Sequence, residues 1–163
     1  MSDEIKALSK SAQSVQQALA EKGLFFEVIE LSASTRTASD AANTIGCDVA
    51  QIIKSLLFCT AKTNQPVLVL ASGINRVNEK IIEQWVGEKI VKADAYFTRD
   101  ITGFAIGGIP PVGHKQTISH IFIDEDLLQH SVLWAAAGTP NAVFSLNSGE
   151  IASLTHGKIM AIK

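Results

Sequence analysis

Three apolar runs, Ile118 to Ile123, Val132 to Ala136 and Ala142 to Leu146, follow one another with eight and then five residues between them. Each has the length and the branched or aromatic content of a strand. A parallel crossover needs a dozen or more connecting residues, usually a helix, so these strands cannot be consecutive βαβ units. Helical stripes elsewhere in the chain then point to an α+β domain with a mixed sheet rather than a doubly wound fold.

The spacing of Ile5, Leu8, Ala12, Val15 and Leu19 predicts a first helix, with Gly23 at its C-terminal cap. Leu24 to Leu31 reads as a strand, and Ser32 to Arg36 as a polar loop. Thr37 starts a second helix with Asp40 in capping-box spacing, and Gly46 ends it. Asp48 caps a third, whose apolar stripe is Val49, Ile52, Ile53, Leu56 and Leu57; from Ser55 onward the same residues also suit a strand. Val67 to Ala71 reads as a buried strand, and Val77 to Trp85 as a helix closed by Gly87. Ile90-Val91 suits a short strand and Ala93 to Ile101 a short helix. A last helix from Asn147-Ser148 to Gly157 precedes a strand over Lys158 to Ile162.

Between these elements lies Gly107-Gly108-Ile109-Pro110-Pro111-Val112-Gly113-His114. Glycines permit positive φ and close backbone approach. The prolines fix φ, remove two N–H donors and drive Ile109 and Pro110 toward extended conformations. Such a loop holds its remaining main-chain groups stiffly enough to contact a ligand. The same composition also serves a tight turn between core elements, and the residues alone leave both readings open.

With 163 residues, 47% hydrophobic and 18% charged, the chain can bury a core as one domain. No apolar stretch reaches the roughly 20 residues that span a bilayer. The N-terminal Met1-Ser2-Asp3-Glu4 is unlike a signal peptide, and Cys47 and Cys59 have neither CxxC spacing nor a matching histidine pair. A cytoplasmic protein with reduced thiols is expected. The net charge of −2 lacks the basic surplus used to grip long nucleic acid, so any such partner is held by a local patch or by its end.

Lys54 follows Ile52-Ile53 and is either a solvated residue or an ammonium aimed at a phosphate or oxyanion. Gly138-Thr139-Pro140-Asn141 is either a hairpin connection or a second loop lending side-chain hydrogen bonds to the cleft. His114, His120, His130 and His156 show no metal-ligand spacing, so no metal and no cofactor are expected. Asp124-Glu125-Asp126 suits the first turn of a short helix, and Cys59, inside Leu-Leu-Phe-Cys-Thr, suits the core better than nucleophilic catalysis. No Walker, Rossmann or GxSxG fingerprint is present.

Four segments in order carry a resemblance. They are Thr37-Ala38-Ser39-Asp40-Ala41-Ala42, Gln51-Ile52-Ile53-Lys54-Ser55-Leu56, Gly107 through Gly113, and Trp134 through Phe144. Together they resemble the YbaK/prolyl-tRNA synthetase editing-domain family of free-standing aminoacyl-tRNA deacylases. The resemblance spans about residues 25–160, after an N-terminal helix over about 3–22, and makes residues 1–163 a single domain. It implies an α+β fold with a largely antiparallel, barrel-like mixed sheet flanked by helices. It also implies a trans-editing hydrolase for mischarged aminoacyl-tRNA, foremost tRNA(Pro) carrying a small wrong amino acid.

The resemblance further implies catalytic roles for Lys54, Gly107, Gly108 and Ile109, orienting the 3′ ester for attack by water or a ribose hydroxyl. Pro111, Gly113, His114, Gly138, Thr139 and Asn141 become substrate-binding candidates. Aminoacyl-tRNA, through its acceptor 3′ end, and prolyl-tRNA synthetase are the implied partners; no membrane is. Lys54, Arg36, Arg76 and Lys115 would form the local basic patch. The competing reading is a non-catalytic module of the same fold that docks on a synthetase or an aminoacyl ligand.

Overall fold

The structure, a computed structural model, describes residues 8–23, 26–35 and 37–163. Ser9 caps α1 (Lys10–Glu21), which buries Ala12, Val15 and Leu19. β1 is Ile29–Glu30, a two-residue piece of the strand expected over Leu24 to Leu31; Leu24 and Phe25 lie outside the described residues. The part of the first helix expected before Leu8, with Ile5, also lies outside them.

Thr37 caps α2 (Ala38–Ile45) by accepting from the Asp40 N–H, and Gly46, at φ +86°, closes it. β2 (Ile52–Thr60) and β3 (Pro66–Ser72) follow. After them come α3 (Glu79–Val86), β4 (Ile90–Lys92), α4 (Ala95–Thr102) and β5 (His120–Asp124). β6 (Val132–Ala136), β7 (Ala142–Asn147), α5 (Ile151–Thr155) and β8 (Lys158–Met160) complete the chain.

The eight strands form one mixed sheet in the order β1-β7-β6-β2-β3-β5-β8, with β4 also on β2. The closely spaced β6 and β7 pair antiparallel, as do β1 with β7, β2 with β3 and β2 with β4. Parallel pairs join only strands distant in sequence: β2 with β6, β3 with β5, and β5 with β8.

One expectation is corrected. Asp48 does begin a turn, its N–H donating to Gln51 Oε1, but the turn is a 3-10 piece over Val49–Gln51, and Ile52 to Leu57 form a strand. The apolar stripe at helical spacing arose because both faces of β2 are covered. Ile53 and Leu57 pack into the main core with Leu68, Leu70, Phe104 and Phe144. Phe58 packs on the other side with Val67, Val69 and Ile82, and Ile52 sits with Ala41 and Ala42 of α2. A strand buried on both faces reads as a continuous apolar run, which a helix stripe mimics over nine residues.

Candidate active site

Strand alternation puts Lys54 on the face of β2 opposite Ile53 and Leu57. Its Nζ donates to the Asn75 carbonyl at 2.5 Å. Asn75 is itself held: its side-chain amide donates to Asp124 Oδ2 and to Asp126 Oδ2, both at 2.8 Å. Asp124 is 1% exposed and also accepts from the Ser72 N–H and the Asp126 N–H, each at 3.0 Å. Lys163 pairs with Asp126 at 3.0 Å. The ammonium therefore rests on a short chain of hydrogen bonds that ends in a buried carboxylate. Burial pushes the Lys54 pKa below the ordinary lysine value, the Arg76 charge pushes it the same way, and Asp124 opposes both.

Two cavities meet at this point of β2. The first, about 270 Å³, runs between α2, the start of β2, β6 and the Gly/Pro loop. Its walls are mostly apolar, with Ile52, Ile53, Ile106, Ile109, Trp134, Ala135 and Val143, and they include Thr35, Thr37, Lys54, Ser55 and Gly107. The second, about 490 Å³, lies toward β4 and α4; Lys54, Arg76 and Lys92 outnumber Glu79 there, a cationic surplus among walls that also include Leu56, Leu57, Phe58 and Val77. Lys54, Ser55, Leu56, Ile106 and Ile109 belong to both. One apolar chamber thus adjoins one cationic chamber, with an ammonium between them.

Of the residues singled out in the sequence, Lys54, Gly107 and Ile109 come together here. Gly107 takes φ +94°, and the Ile109 side chain is 3% exposed. Gly108 sits behind the wall, its carbonyl accepting from the Gly138 N–H at 2.9 Å. A Cβ on Gly108 would lie 3.1 Å from the Gly138 carbonyl carbon and oxygen and from Thr139 Cα. The two Gly/Pro loops therefore pack main chain against main chain, and the close approach that glycine permits at 108 is made to the second loop.

Pro111, Gly113, His114, Gly138, Thr139 and Asn141 lie outside both cavity walls. His114 Nε2 bonds the Pro110 carbonyl at 2.7 Å and closes the loop on itself. Burial pushes its pKa below the ordinary histidine value, against the effect of that carbonyl. Gly113 borders a shallow recess with Lys10 and Ser14 and approaches Ala18 of α1, while Gly138 packs on Ser11. Asn141 ties the second loop to the segment before α2: its carbonyl accepts from the Leu31 N–H and its amide donates to the Ala33 carbonyl. Thr139 Oγ1 accepts from the Asn141 N–H.

Of the basic patch, Arg76 lines the second cavity, Lys115 borders recesses outside both cavities, and Arg36 lies outside the described residues. Cys59 is buried near the far end of β2, its thiol pushed up by burial. Sequence reasoning gave no role to Asn75 or Ile106, and it named Ser55 and Trp134 only as members of the motifs that carry the resemblance. Lys54-Ser55 is a polar break inside Ile52 to Phe58, and that break is the one local signal for Ser55.

Residues 32–154 match the aminoacyl-tRNA editing domain family. The chain is 28% identical over 133 residues to the uncharacterized protein YwhH of Bacillus subtilis (strain 168), covering 82% of this chain and 83% of that one. It is 30% identical over 95 residues to a proline–tRNA ligase of Limosilactobacillus fermentum, covering 56% of this chain and 16% of the ligase. A solved structure described as a proposed trans-editing enzyme for prolyl-tRNA synthetase superposes with a TM-score of 0.90 at 43% identity, covering 96% of this chain and 99% of that one. A match of this length, with the same fold at this identity, is decisive: the chain belongs to the aminoacyl-tRNA editing domain family.

Proposed function

We propose that the protein is a trans-editing hydrolase that deacylates mischarged aminoacyl-tRNA, foremost tRNA(Pro) bearing a small wrong amino acid. The observation that carries this reading is the Lys54 ammonium, fixed on the Asn75 carbonyl where an apolar and a cationic chamber meet. The apolar chamber suits an aminoacyl side chain. The cationic chamber, with Arg76 and Lys92, suits the 3′-terminal ribose and its phosphate. The proline–tRNA ligase relative and the trans-editing structure support tRNA(Pro) as the carrier.

An aminoacyl ester is already activated, so the reaction needs no covalent nucleophile. Water adds to the ester carbonyl, the ribose oxygen leaves with a proton, and free amino acid and uncharged tRNA result. Lys54 holds the ribose or phosphate beside the scissile bond. Main-chain groups of Gly107 and Ile109 orient the ester and the attacking water, and the prolines limit reorganisation. Preorganised donors and orientation of this kind supply several kcal/mol of barrier reduction. Gly108, Pro111, Gly113, His114, Gly138, Thr139 and Asn141 contribute by holding that loop in place.

The test is deacylation of tRNA(Pro) charged separately with alanine, serine, cysteine, 2-aminobutyrate and proline, with wild type beside Lys54→Ala. Hydrolysis of at least one wrong ester, sparing of proline and loss of activity in the variant are expected. Folded wild-type protein that binds the charged tRNA without hydrolysing any ester would replace the enzyme reading with the binding-module one.

A further inference from the structure

β2 is paired along most of its length on one side and only near its ends on the other. β3 takes Ile53 through Cys59. On the opposite side β6 takes Ile52 and Ile53, and β4 takes Phe58 to Thr60. The Leu57 carbonyl on that side accepts from the Ala93 N–H at 3.1 Å. Residues 54–56 face no strand there; both cavities open onto this gap.

Antiparallel pairing sends the N–H and C=O of alternate residues to opposite edges. The Ile52 carbonyl accepts from Gly73 on the β3 side, while the Leu57 carbonyl points to the other. The N–H and C=O of Ser55 therefore face the gap. Ser55 carries a second anomaly. Among the described residues, its Oγ is the buried side-chain polar atom without a hydrogen-bond partner. Such atoms nearly always find partners, and an exception calls for a reason.

We propose that the aminoacyl group docks on this free edge as a one-residue strand, and that the Ser55 hydroxyl selects a side chain able to hydrogen-bond to it, serine foremost. The proposal rests on the deacylase reading and names its substrate class. An aminoacyl ester carries an α-ammonium and a carbonyl in the same order as one residue of a strand. The ammonium donates to the Ser55 carbonyl, and the ester carbonyl accepts from the Ser55 N–H, as in one hydrogen-bonded antiparallel pair. Directly opposed residues place their side chains on the same face, with Cβ atoms about 4.5–5.5 Å apart. The substrate side chain then lies beside Ser55, within reach after a rotation about χ1. Elsewhere in that chamber Thr35 Oγ1 donates to the Pro140 carbonyl, and Thr37 Oγ1 accepts from the Asp40 N–H while keeping its own proton. Of these three hydroxyls, Ser55 is the one without a hydrogen-bond partner. A site built around an unsatisfied polar group discriminates against an analogue that leaves it unsatisfied.

Serine and 2-aminobutyrate differ by a hydroxyl in place of a methyl of similar volume, so their tRNA(Pro) esters isolate the effect. Wild type is expected to favour the serine ester in kcat/KM by about tenfold or more, and Ser55→Ala to lose most of that preference. Ser55→Ala should melt at or above the wild-type temperature, because the hydroxyl has no partner in the free protein to lose. Equal kcat/KM for the two esters in wild type, or an unchanged ratio in Ser55→Ala, overturns the proposal while leaving the deacylase reading intact. A large fall in melting temperature also overturns it, by assigning the hydroxyl a structural partner. Failure of folded wild type to hydrolyse any wrong ester defeats the deacylase reading itself, and this proposal with it.

Discussion

Asn75→Ala separates holding Lys54 in place from holding the fold together. The substitution removes the amide that bonds both Asp124 and Asp126. Asp124 stays buried and keeps only its bonds from Ser72 and Asp126. One lost hydrogen bond to a buried charge costs about 1.5–3 kcal/mol. For a chain of this size each kcal/mol lowers the melting temperature by about 2–4 °C, so a fall of about 3–12 °C is expected. Asp126, whose carboxyl Asn75 and then Lys163 hold below the usual carboxylate range, should titrate closer to that range. The segment that presents the Asn75 carbonyl to Lys54 loses its anchor at the same time. A displacement of about 1 Å at a positioned group can cost about 100-fold, so a kcat loss of about 10–100-fold with a smaller change in KM follows. A carbonyl acceptor favours the charged ammonium, so weakening that bond moves the already lowered Lys54 pKa further down. The alkaline limb of the pH–rate profile should then shift to lower pH. Melting curves and single-turnover deacylation from neutral to alkaline pH, normalised to folded protein, measure all of these. A destabilised variant with wild-type kcat and an unmoved alkaline limb would falsify the link between the clamp and Lys54. Asn75→Asp sets a third carboxylate against the other two and should be less stable than Asn75→Ala.

Gly108→Ala forces the two loops apart by a few tenths of an ångström, because its Cβ meets main-chain atoms of Gly138 and Thr139. Overpacking of this kind costs about 1–3 kcal/mol, and turnover per folded molecule should fall with it; full turnover in a variant that melts lower would detach the loop contact from the chemistry. Cys59→Ser and thiol alkylation should leave deacylation intact, since Cys59 lies near the far end of β2 from the cavities' shared wall; inactivation of folded protein by either would revive a thiol nucleophile. His114 is held below the ordinary histidine pKa by burial, so the unfolded chain binds a proton over a pH range where the fold does not. Stability should therefore decline as pH falls through about 6.5, the unfolded value. Denaturant titrations at pH 7.5 and 5.5 should show that component in wild type and not in His114→Gln; equal pH dependence in both would refute it.

The parts of this fold that were legible in the sequence are those that depend on neighbours along the chain. Thr37 and Gly46 bracket α2 because a hydroxyl cap and a left-handed residue act within one turn. The β6–β7 hairpin follows from a connection too short for anything else. β2 defeated the same reasoning because burial on both faces is set by the tertiary packing of α2, α3 and the Gly/Pro loop over it, which spacing along the strand does not encode. The candidate site divides the same way. Gly107, Ile109 and Lys54 are reached through the family resemblance of the motifs that hold them, whereas Asn75 and Ser55 gain their meaning only from pairing. Asn75 matters because β3 and β5 run parallel and bring Asp124 beside the turn after Ser72. Ser55 matters because β6 and β4 share one side of β2 and stop short of each other.

A strand covered on both faces ordinarily has no room for two consecutive polar residues. Lys54 and Ser55 fit because the sheet is open at their height, so the ammonium reaches a chamber on one face and the serine main chain faces the gap. The polar break in an apolar strand and the missing rungs beside it are thus one feature of the folded sheet. The same opening gives an ester access to Lys54 and leaves main-chain groups free to receive it. A substitution that closed the gap by extending β4 toward Ser55 would therefore be expected to stabilise the fold and abolish turnover together.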